Sequence, residues 1–355
     1  MVKFGVIGCG AIHSVHCDAL QKIAGATLSG VFDLVPEKGA ATGSKYGVPS
    51  TETLDELFSM VDAVTICVPS GLHAEVGIQA ADAGKNVLVE KPIDVSIEAA
   101  SRLINACEQN GVKLGSISQH RFSKSVRRLR HAAQSGEFGT LLEGDAYVKW
   151  YRTQKYYDSG DWRGTWQLDG GGCLINQGVH YIDLIQWIMG GVKSVQAQVR
   201  TAAHDIEVED IANALIEYKN GATGVIQGST SFYPGLAERL EVHGKHGSVI
   251  LEGDKPKLWK IDAEAAAEGL YGGGVLMQPT PSLHLHDQTD EVANAVNDPT
   301  ALWGEQHRLQ IEDFALSIVE DRDPEITGRM ALEPLKVILA IYESSRNGGA
   351  RIVIQ

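Results

Sequence analysis

The chain has 355 residues, 43% of them apolar and 21% charged, and a formal net charge of -14. This is a globular composition with enough length for two domains, and its negative average field argues against a nucleic-acid backbone as the main ligand. No apolar run approaches the roughly 18 residues that a membrane helix needs, and MVKFGVIG enters a strand pattern at once, so a cytoplasmic protein with no membrane association is expected.

From residue 3 to about 120, short β-rich runs alternate with helical ones. KFGVIG, TLSGVFD, AVTICVP, NVLVE and VKLGSIS read as strands. AIHSVHCDALQKI, PEKGAATGSKY, HAEVGIQAADAG and SIEAASRLINACEQNG between them read as helices. Repeated βα units with nearly continuous apolar strands predict a parallel sheet covered on both faces, a doubly wound Rossmann domain over residues 1–120.

After residue 120 the rhythm changes. A basic helix, SKSVRRLRHAAQSG, leads into a strand, LLEGDAYVKWY, and a polar aromatic loop, RTQKYYDSGDWRGTWQLDGGG. A helix over 173–188 comes next, then strand-like runs SVQAQVRT, IANALIEYK, TGVIQGSTSF, RLEVHG and GSVILEG. Their short turns predict antiparallel neighbours, so 121–355 reads as an α+β domain with a large, mostly antiparallel sheet. Residues 261–302 read as irregular excursions, and two helices near 303–320 and 330–346 precede a final strand, RIVIQ. Cys9, Cys17, Cys67, Cys107 and Cys173 are scattered and odd in number, which predicts reduced thiols and neither a disulfide framework nor a CxxC metal site.

Gly8-Cys9-Gly10 ends the first strand and opens the first helix, the context in which a dinucleotide fingerprint has meaning. Gly8, Gly10, Ala11 and Ile12 would meet the pyrophosphate with backbone N–H groups and a positive helix end. His13 stands where the fingerprint has its third glycine, so the helix either packs less closely on the sheet or holds the imidazole at its edge. Asp33 ends the second strand, where a carboxylate accepts ribose hydroxyls and repels a 2′-phosphate; with Leu34 next to it, NAD is expected over NADP. The alternative is a plain turn with Asp33 as a local cap.

NVLVEKPIDVS ends a parallel strand with Glu90-Lys91-Pro92, at the carboxyl end where open α/β sheets bind ligands. Lys91 there suits stabilisation of a developing alkoxide, although an exposed loop lysine has the same pattern. In the helix over 173–188, Leu174, Gly178, Ile182, Ile185 and Met189 fall on one side at helical spacing, and Asn176, His180, Asp183 and Trp187 on the other. Asp183, one turn beyond His180, is placed to orient it and raise its basicity. The polar stripe is otherwise a solvated face.

These segments, VFD, CVPSGLHAEVGIQAADAGKNVLVEKPIDVS and WRGTWQLDGGGCLINQGVHYIDLIQWIMG, resemble the glucose-fructose oxidoreductase, inositol dehydrogenase and rhizopine catabolism (Gfo/Idh/MocA) family over nearly the whole chain. The EKP turn and the GxxxxNQGxHxxD helix are its specific marks. The resemblance implies an NAD-dependent dehydrogenase acting on a secondary ring hydroxyl of a sugar, nucleotide sugar or cyclitol. It favours C3 of a pyranose, because YYDSGDWRGTW through NQGVHYIDLIQW is most similar to members that oxidise UDP-N-acetylglucosaminuronate at that position. His180 would be the general base with Lys91 beside it, and Asn176, where many relatives carry aspartate, would bind a neighbouring hydroxyl.

By the same resemblance Pro69, Ser70 and His73 form the turn over the cofactor ribose and nicotinamide, and Glu90, Gln119, Trp162 and Arg163 also contact the cofactor. Arg121 and Tyr157 would face the substrate; Tyr156 and Tyr157 either stack on a sugar or uracil ring or anchor their own loop. No metal is expected, since nicotinamide takes the hydride, and His284 and His286 in SLHLHD read as surface residues rather than ligands. The basic run Lys124, Arg127, Arg128 and Arg130 reads as a solvated helix face, or a phosphate site if it borders the cleft. The expected partners are a small carbohydrate and further copies of the chain, as a homodimer or homotetramer. A redox-neutral enzyme that cleaves a glycoside through transient oxidation, or a non-catalytic NAD sensor, would share these features.

Overall fold

A computed structural model describes residues 1–263 and 304–355. The first half alternates β1 (Val2–Ile7), α1 (His13–Leu20), β2 (Ala26–Phe32), α2 (Pro36–Tyr46), α3 (Leu54–Met60), β3 (Ala63–Ile66), α4 (His73–Asp82), β4 (Asn86–Val89), α5 (Ile97–Gln109) and β5 (Leu114–Ser116). Then come α6 (Lys124–Gln134), β6 (Leu141–Lys149), α7 (Gln154–Tyr157), α8 (Val179–Met189), β7 (Val192–Arg200), β8 (Ile211–Tyr218) and β9 (Thr223–Ser229). The remaining elements are β10 (Arg239–Gly244), β11 (Gly247–Glu252), β12 (Lys255–Ile261), α9 (Glu305–Val319), α10 (Gly328–Arg346) and β13 (Ile352–Val353). The chain divides into two compact units. One gathers Met1–Gln119, Ser159–Gly171 and the described part of Trp303–Leu335; the other gathers His120–Asp158, the described part of Gly172–Leu302, and Lys336–Gln355.

The first unit is built on a five-stranded sheet in the order β2-β1-β3-β4-β5, with every pairing parallel. Its strands are short and nearly all buried, which is why they read as continuous apolar runs. α5 shows how the flanking helices are specified: Ser96 caps it by accepting the Ala99 N–H at 3.1 Å, and Ala100, Leu103, Ile104 and Cys107 form its buried stripe. Phe4 of β1 meets Phe314 of α9 edge to face at 6.3 Å, so a helix from the far end of the sequence completes this core.

The second unit holds an eight-stranded sheet in the order β12-β11-β10-β6-β9-β8-β7-β13. All its pairings are antiparallel except β6 with β9, which run parallel. α8 lies against β6 and β10, and α6 lies against α8. The α/β class with a Rossmann sheet and a second, mostly antiparallel sheet is therefore the observed architecture.

Several features differ from the sequence expectations, among them α7, a single helical turn inside the expected aromatic loop. The short helix α3 is absent from the helical runs expected above; its signal is Thr53-Leu54-Asp55-Glu56, in which Thr53 Oγ1 accepts the Glu56 N–H at 3.2 Å and Glu56 returns to accept the Glu52 N–H at 2.9 Å. β12 went unread because KPKLWKI is an edge strand with lysines and a proline and little burial. The helix over 173–188 is two elements, a π-helical turn over Cys173–Gly178 followed by α8. Most of the expected excursions over 261–302 lie outside the described residues, as do His284 and His286.

Candidate active site

In the first unit the chain crosses from β2 over β1 to β3, so the sheet order reverses between β1 and β3, where open α/β sheets leave a crevice. Gly8 sits in that reversal at φ +92°, and a Cβ on it would stand 2.8 Å from the Cys67 carbonyl. A Cβ on Gly10, by contrast, would meet nothing within 4 Å, which leaves the backbone open to close approach by a pyrophosphate. Ala11 is exposed beside it, and Ile12 turns into the core. Asp33 Oδ2 accepts the Cys9 N–H at 2.6 Å and its Oδ1 accepts the Val35 N–H at 2.8 Å, so the acid is tied to the glycine turn while remaining half-exposed. Each oxygen keeps a lone pair for a ribose hydroxyl. His13 is held at the edge of the turn, hydrogen-bonded to the Gly10 carbonyl and 3.3 Å from Thr42 Oγ1.

Pro69 and Ser70 open a single 3-10 turn after β3. His73 follows, but its ring is buried, with Nδ1 2.7 Å from the Pro92 carbonyl oxygen and Nε2 3.0 Å from that of Val68. Burial lowers its pKa against these carbonyl contacts. His73 thus ties the turn after β3 to the turn after β4, its single ring N–H donating to one of the two backbone carbonyls.

Glu90 is likewise inside. Its Oε1 lies 2.7 Å from His16 Nε2 and 3.6 Å from His307 Nε2, and its Oε2 accepts the Lys91 N–H at 3.1 Å. His16 in turn shares a 2.8 Å contact with Thr65 Oγ1. Burial would raise the Glu90 pKa, but the two histidines hold it well below the ordinary value. Glu90 thus supports the backbone of Lys91.

Burial lowers the pKa of Lys91; Glu90 and Asp169 oppose this, and Arg163 adds to it. Asp169 was not foreseen. It is buried, accepts the Gly164 N–H at 2.9 Å, and belongs to the 159–171 segment, whose Leu168 carbonyl accepts the Gly71 N–H at 2.8 Å. In that segment Arg163 stacks 4.4 Å over Trp162 and acts electrostatically on Lys91. The signal in the sequence was the acid immediately before Gly170-Gly171-Gly172. Gln119, at the end of the unit, is buried, and its Oε1 has no hydrogen-bond donor among the described residues.

The remaining candidates, Arg121, Tyr157, Asn176, His180 and Asp183, belong to the second unit. From Cys173 to Met189 every side chain is buried except Asn176, His180 and Trp187, which are partly accessible. The polar stripe is therefore real, minus one member. Asp183 is buried and grips Arg121 with both oxygens, accepting the Nε–H at 2.7 Å. This corrects one expectation, since Asp183 serves Arg121 rather than His180; Arg121 itself stacks 4.7 Å over Trp187 and keeps Nη1 buried with no hydrogen-bond partner among the described residues. Tyr157 is also buried, its hydroxyl 2.7 Å from Thr230 Oγ1, and it anchors its loop.

Glu209 lies outside the candidates expected from the sequence. Its Oε2 accepts the Gly172 N–H and its Oε1 accepts the Leu174 N–H, both at 2.9 Å, while the Tyr342 hydroxyl donates to Oε1 at 2.9 Å. It thereby caps the π turn that carries Asn176. A Cβ at Gly172 would fall 1.8 Å from the Glu209 carbonyl oxygen, so glycine is required there. Burial raises the Glu209 pKa to about 7, against the lowering effect of these hydrogen bonds.

The basic run is engaged within its own unit. Arg128 pairs with both oxygens of Glu137, and Arg130 stacks 4.0 Å over Trp187. The five cysteines are buried and unpaired. Two groupings among the described residues have metal-ligand spacing, His16–Glu90–His307 and Asp145–Glu241–His243; the first is already closed by hydrogen bonds.

Residues 2–117 match the model described as an oxidoreductase family with an NAD-binding Rossmann fold, and residues 126–250 match the GFO/IDH/MocA C-terminal domain. The WlbA dehydrogenase of Bordetella pertussis, solved in complex with NADH and UDP-GlcNAcA, is 31% identical, covers 100% of this chain and 99% of its own, and superposes with a TM-score of 0.84. Glucose-6-phosphate 3-dehydrogenase of Bacillus subtilis is 25% identical over 90% of each chain. Inositol 2-dehydrogenase of Rhizobium meliloti is 26% identical over 83% of this chain and 86% of its own.

Proposed function

Since the chain belongs to the Gfo/Idh/MocA family of NAD-dependent oxidoreductases, we propose that it oxidises a secondary ring hydroxyl at C3 of a pyranose carried by a nucleotide sugar, with a uronate such as UDP-N-acetylglucosaminuronate as the substrate class. The observation that carries this reading is the likeness along 100% of the chain to a dehydrogenase solved with NADH and UDP-GlcNAcA. The open backbone at Gly10 and the tethered acid at Asp33 suit the dinucleotide, and NAD when bound accepts the hydride.

The chain's own residues then have three tasks. Lys91, an amine whose burial favours the neutral form but which Glu90 and Asp169 help to keep protonated, donates to the substrate oxygen as alkoxide character grows. His180 takes the hydroxyl proton, and Asn176 hydrogen-bonds a neighbouring hydroxyl. The 159–171 segment, through Trp162 and Arg163, orients the cofactor near Lys91.

The test is NADH formation with UDP-N-acetylglucosaminuronate, glucose 6-phosphate and myo-inositol side by side, with the ketone located by mass spectrometry and NMR. Turnover of the uronate with a 3-keto product is expected, and His180→Ala should lower kcat about 10²–10⁴-fold. Preference for inositol or the sugar phosphate, or product without net NADH from an enzyme that retains NAD, would overturn the assignment.

A further inference from the structure

On the stripe that carries Asn176 and His180, the carboxylate of Asp183 is bound by Arg121. A second imidazole stands beside that of His180. The His120 and His180 rings lie 5.1 Å apart, centroid to centroid, inclined at 60°. His120 is 3% exposed, its Nδ1 lies 2.9 Å from Asp254 Oδ2, and its Nε2 is buried with no hydrogen-bond partner among the described residues.

We propose that His120, backed by Asp254, is the second station of a proton relay that begins at His180. The proposal rests on the reading of His180 as the base.

The carboxylate is built into place. Gly253 and Asp254 form a two-residue turn between β11 and β12 with both φ angles positive, +51° and +62°. A non-glycine residue is uncommon there, and aspartate tolerates it. The turn is pinned by the Gly253 N–H donating to the Glu238 carbonyl at 3.0 Å, and Tyr181 of α8 donates its hydroxyl to Asp254 Oδ1 at 3.1 Å. A buried carboxylate accepting from a tyrosine and an imidazole on opposite oxygens fixes the His120 ring and directs its Nδ1–H to Asp254, which leaves the Nε2 lone pair as the basic site.

The charged and titratable groups around His120 are Asp254 on the hairpin, Glu238 before β10, and Tyr181 and Asp183 on α8, with Arg121 paired to Asp183. Burial alone would lower the imidazole pKa, but the carboxylates outweigh it and the balance is upward. His120 is therefore a better base than a free imidazole in the same place.

The step balances. The substrate C–H bond gives its electron pair with the hydrogen to NAD, the O–H bond breaks and its proton goes to His180, and the ketone forms. The proton then passes from His180 to His120 Nε2, directly or through one water, and the imidazolium is neutralised by Asp254.

Two measurements on the full chain test this. In the first, His120→Ala and Asp254→Asn are assayed with NAD and UDP-N-acetylglucosaminuronate beside His180→Ala. Both are expected to lower kcat about 10-fold or more with little change in KM, to move the limb of the pH profile that reports the base, and, for His120→Ala, to recover turnover with added imidazole. A defect at His180 with an unmoved profile and no imidazole rescue at His120 overturns the relay alone; full activity of His180→Ala overturns the reading of the base as well. In the second, which needs no substrate, ¹⁵N-histidine NMR follows both rings through about pH 5–8. Coupled titrations are expected, with the His120 midpoint falling in Asp254→Asn and by a smaller amount in the milder Tyr181→Phe. Independent titrations, or a His120 midpoint indifferent to Asp254, refute the proposal.

Discussion

Glu90 bonds to His16 through one carboxylate oxygen, at 2.7 Å, and to the Lys91 backbone N–H through the other, at 3.1 Å. A buried charge therefore joins the first helix to the turn that holds the candidate catalytic lysine. Because the native pKa of Glu90 lies well below its ordinary 4.5, its contribution to stability is present above that value and is lost as the pH falls toward the native pKa. His16→Ala leaves the charge with a partner removed and should cost about 3 kcal/mol. Glu90→Gln should cost about 1–3 kcal/mol and flatten the acid limb of stability against pH. Urea unfolding at several pH values measures both, and an unchanged acid limb in Glu90→Gln would contradict the pairing.

Glu209 should show the opposite slope. Its native pKa, about 7, lies above the ordinary 4.5, so the folded state holds the extra proton. Stability from this group is complete below about pH 4.5, declines as the pH rises, and levels off above 7. A shift of about 2.5 units (7 minus 4.5) corresponds to about 3 kcal/mol. Glu209→Gln removes the titration, so relative to the native chain it should gain roughly that amount between pH 5 and pH 8, whatever its offset at pH 5. Parallel pH profiles for the two proteins would show that Glu209 is not the group responsible.

Arg121 and Asp183 form a buried pair with a near-parallel fork of contacts, and the cost of breaking it comes mainly from the charge left behind. Arg121→Met should destabilise the protein by about 3–5 kcal/mol, and Asp183→Leu similarly. The double variant should be close to the native chain, giving a coupling energy of several kcal/mol in a double-mutant cycle. Additive losses would indicate that each side chain acts through other neighbours.

The same pair shows where the sequence stops being legible. The Rossmann strands announce themselves because a strand buried on both faces is locally apolar, and the glycine turn and Asp33 are recognised because their roles depend on adjacent backbone. The accessible stripe of Asn176 and His180 follows from spacing, even though the first of these residues sits in a π turn. Which polar residue faces water, however, depends on partners far away in the chain. Asp183 meets Arg121 across 62 positions, and Asp254 meets His120 across 134. Glu209 and Asp169 lie in polar stretches that look like loop surface until the backbone N–H groups they satisfy are known. The parallel pairing of β6 with β9 is equally non-local, since both strands carry the pattern of an antiparallel sheet.

Asp33 tests the cofactor end of the site and carries two roles that one substitution pair can separate. As a tether it accepts the Cys9 and Val35 N–H groups, and as the proposed ligand it would present its remaining lone pairs to a ribose. Asp33→Asn keeps one acceptor and loses the charge; Asp33→Ser with Leu34→Arg also supplies a cation at a position that is 82% exposed. NAD affinity should fall about 10-fold or more in each variant, through the loss of charged hydrogen bonds worth about 1.5–3 kcal/mol. NADP affinity should rise in the double variant, because the repulsion of a 2′-phosphate is replaced by attraction. Calorimetric titration of both dinucleotides at fixed salt gives these values, and the melting temperature reports the tether independently. If NADP binding stayed weak while the melting temperature fell, Asp33 would be a cap of the turn and the choice of dinucleotide would have to be made elsewhere in the chain.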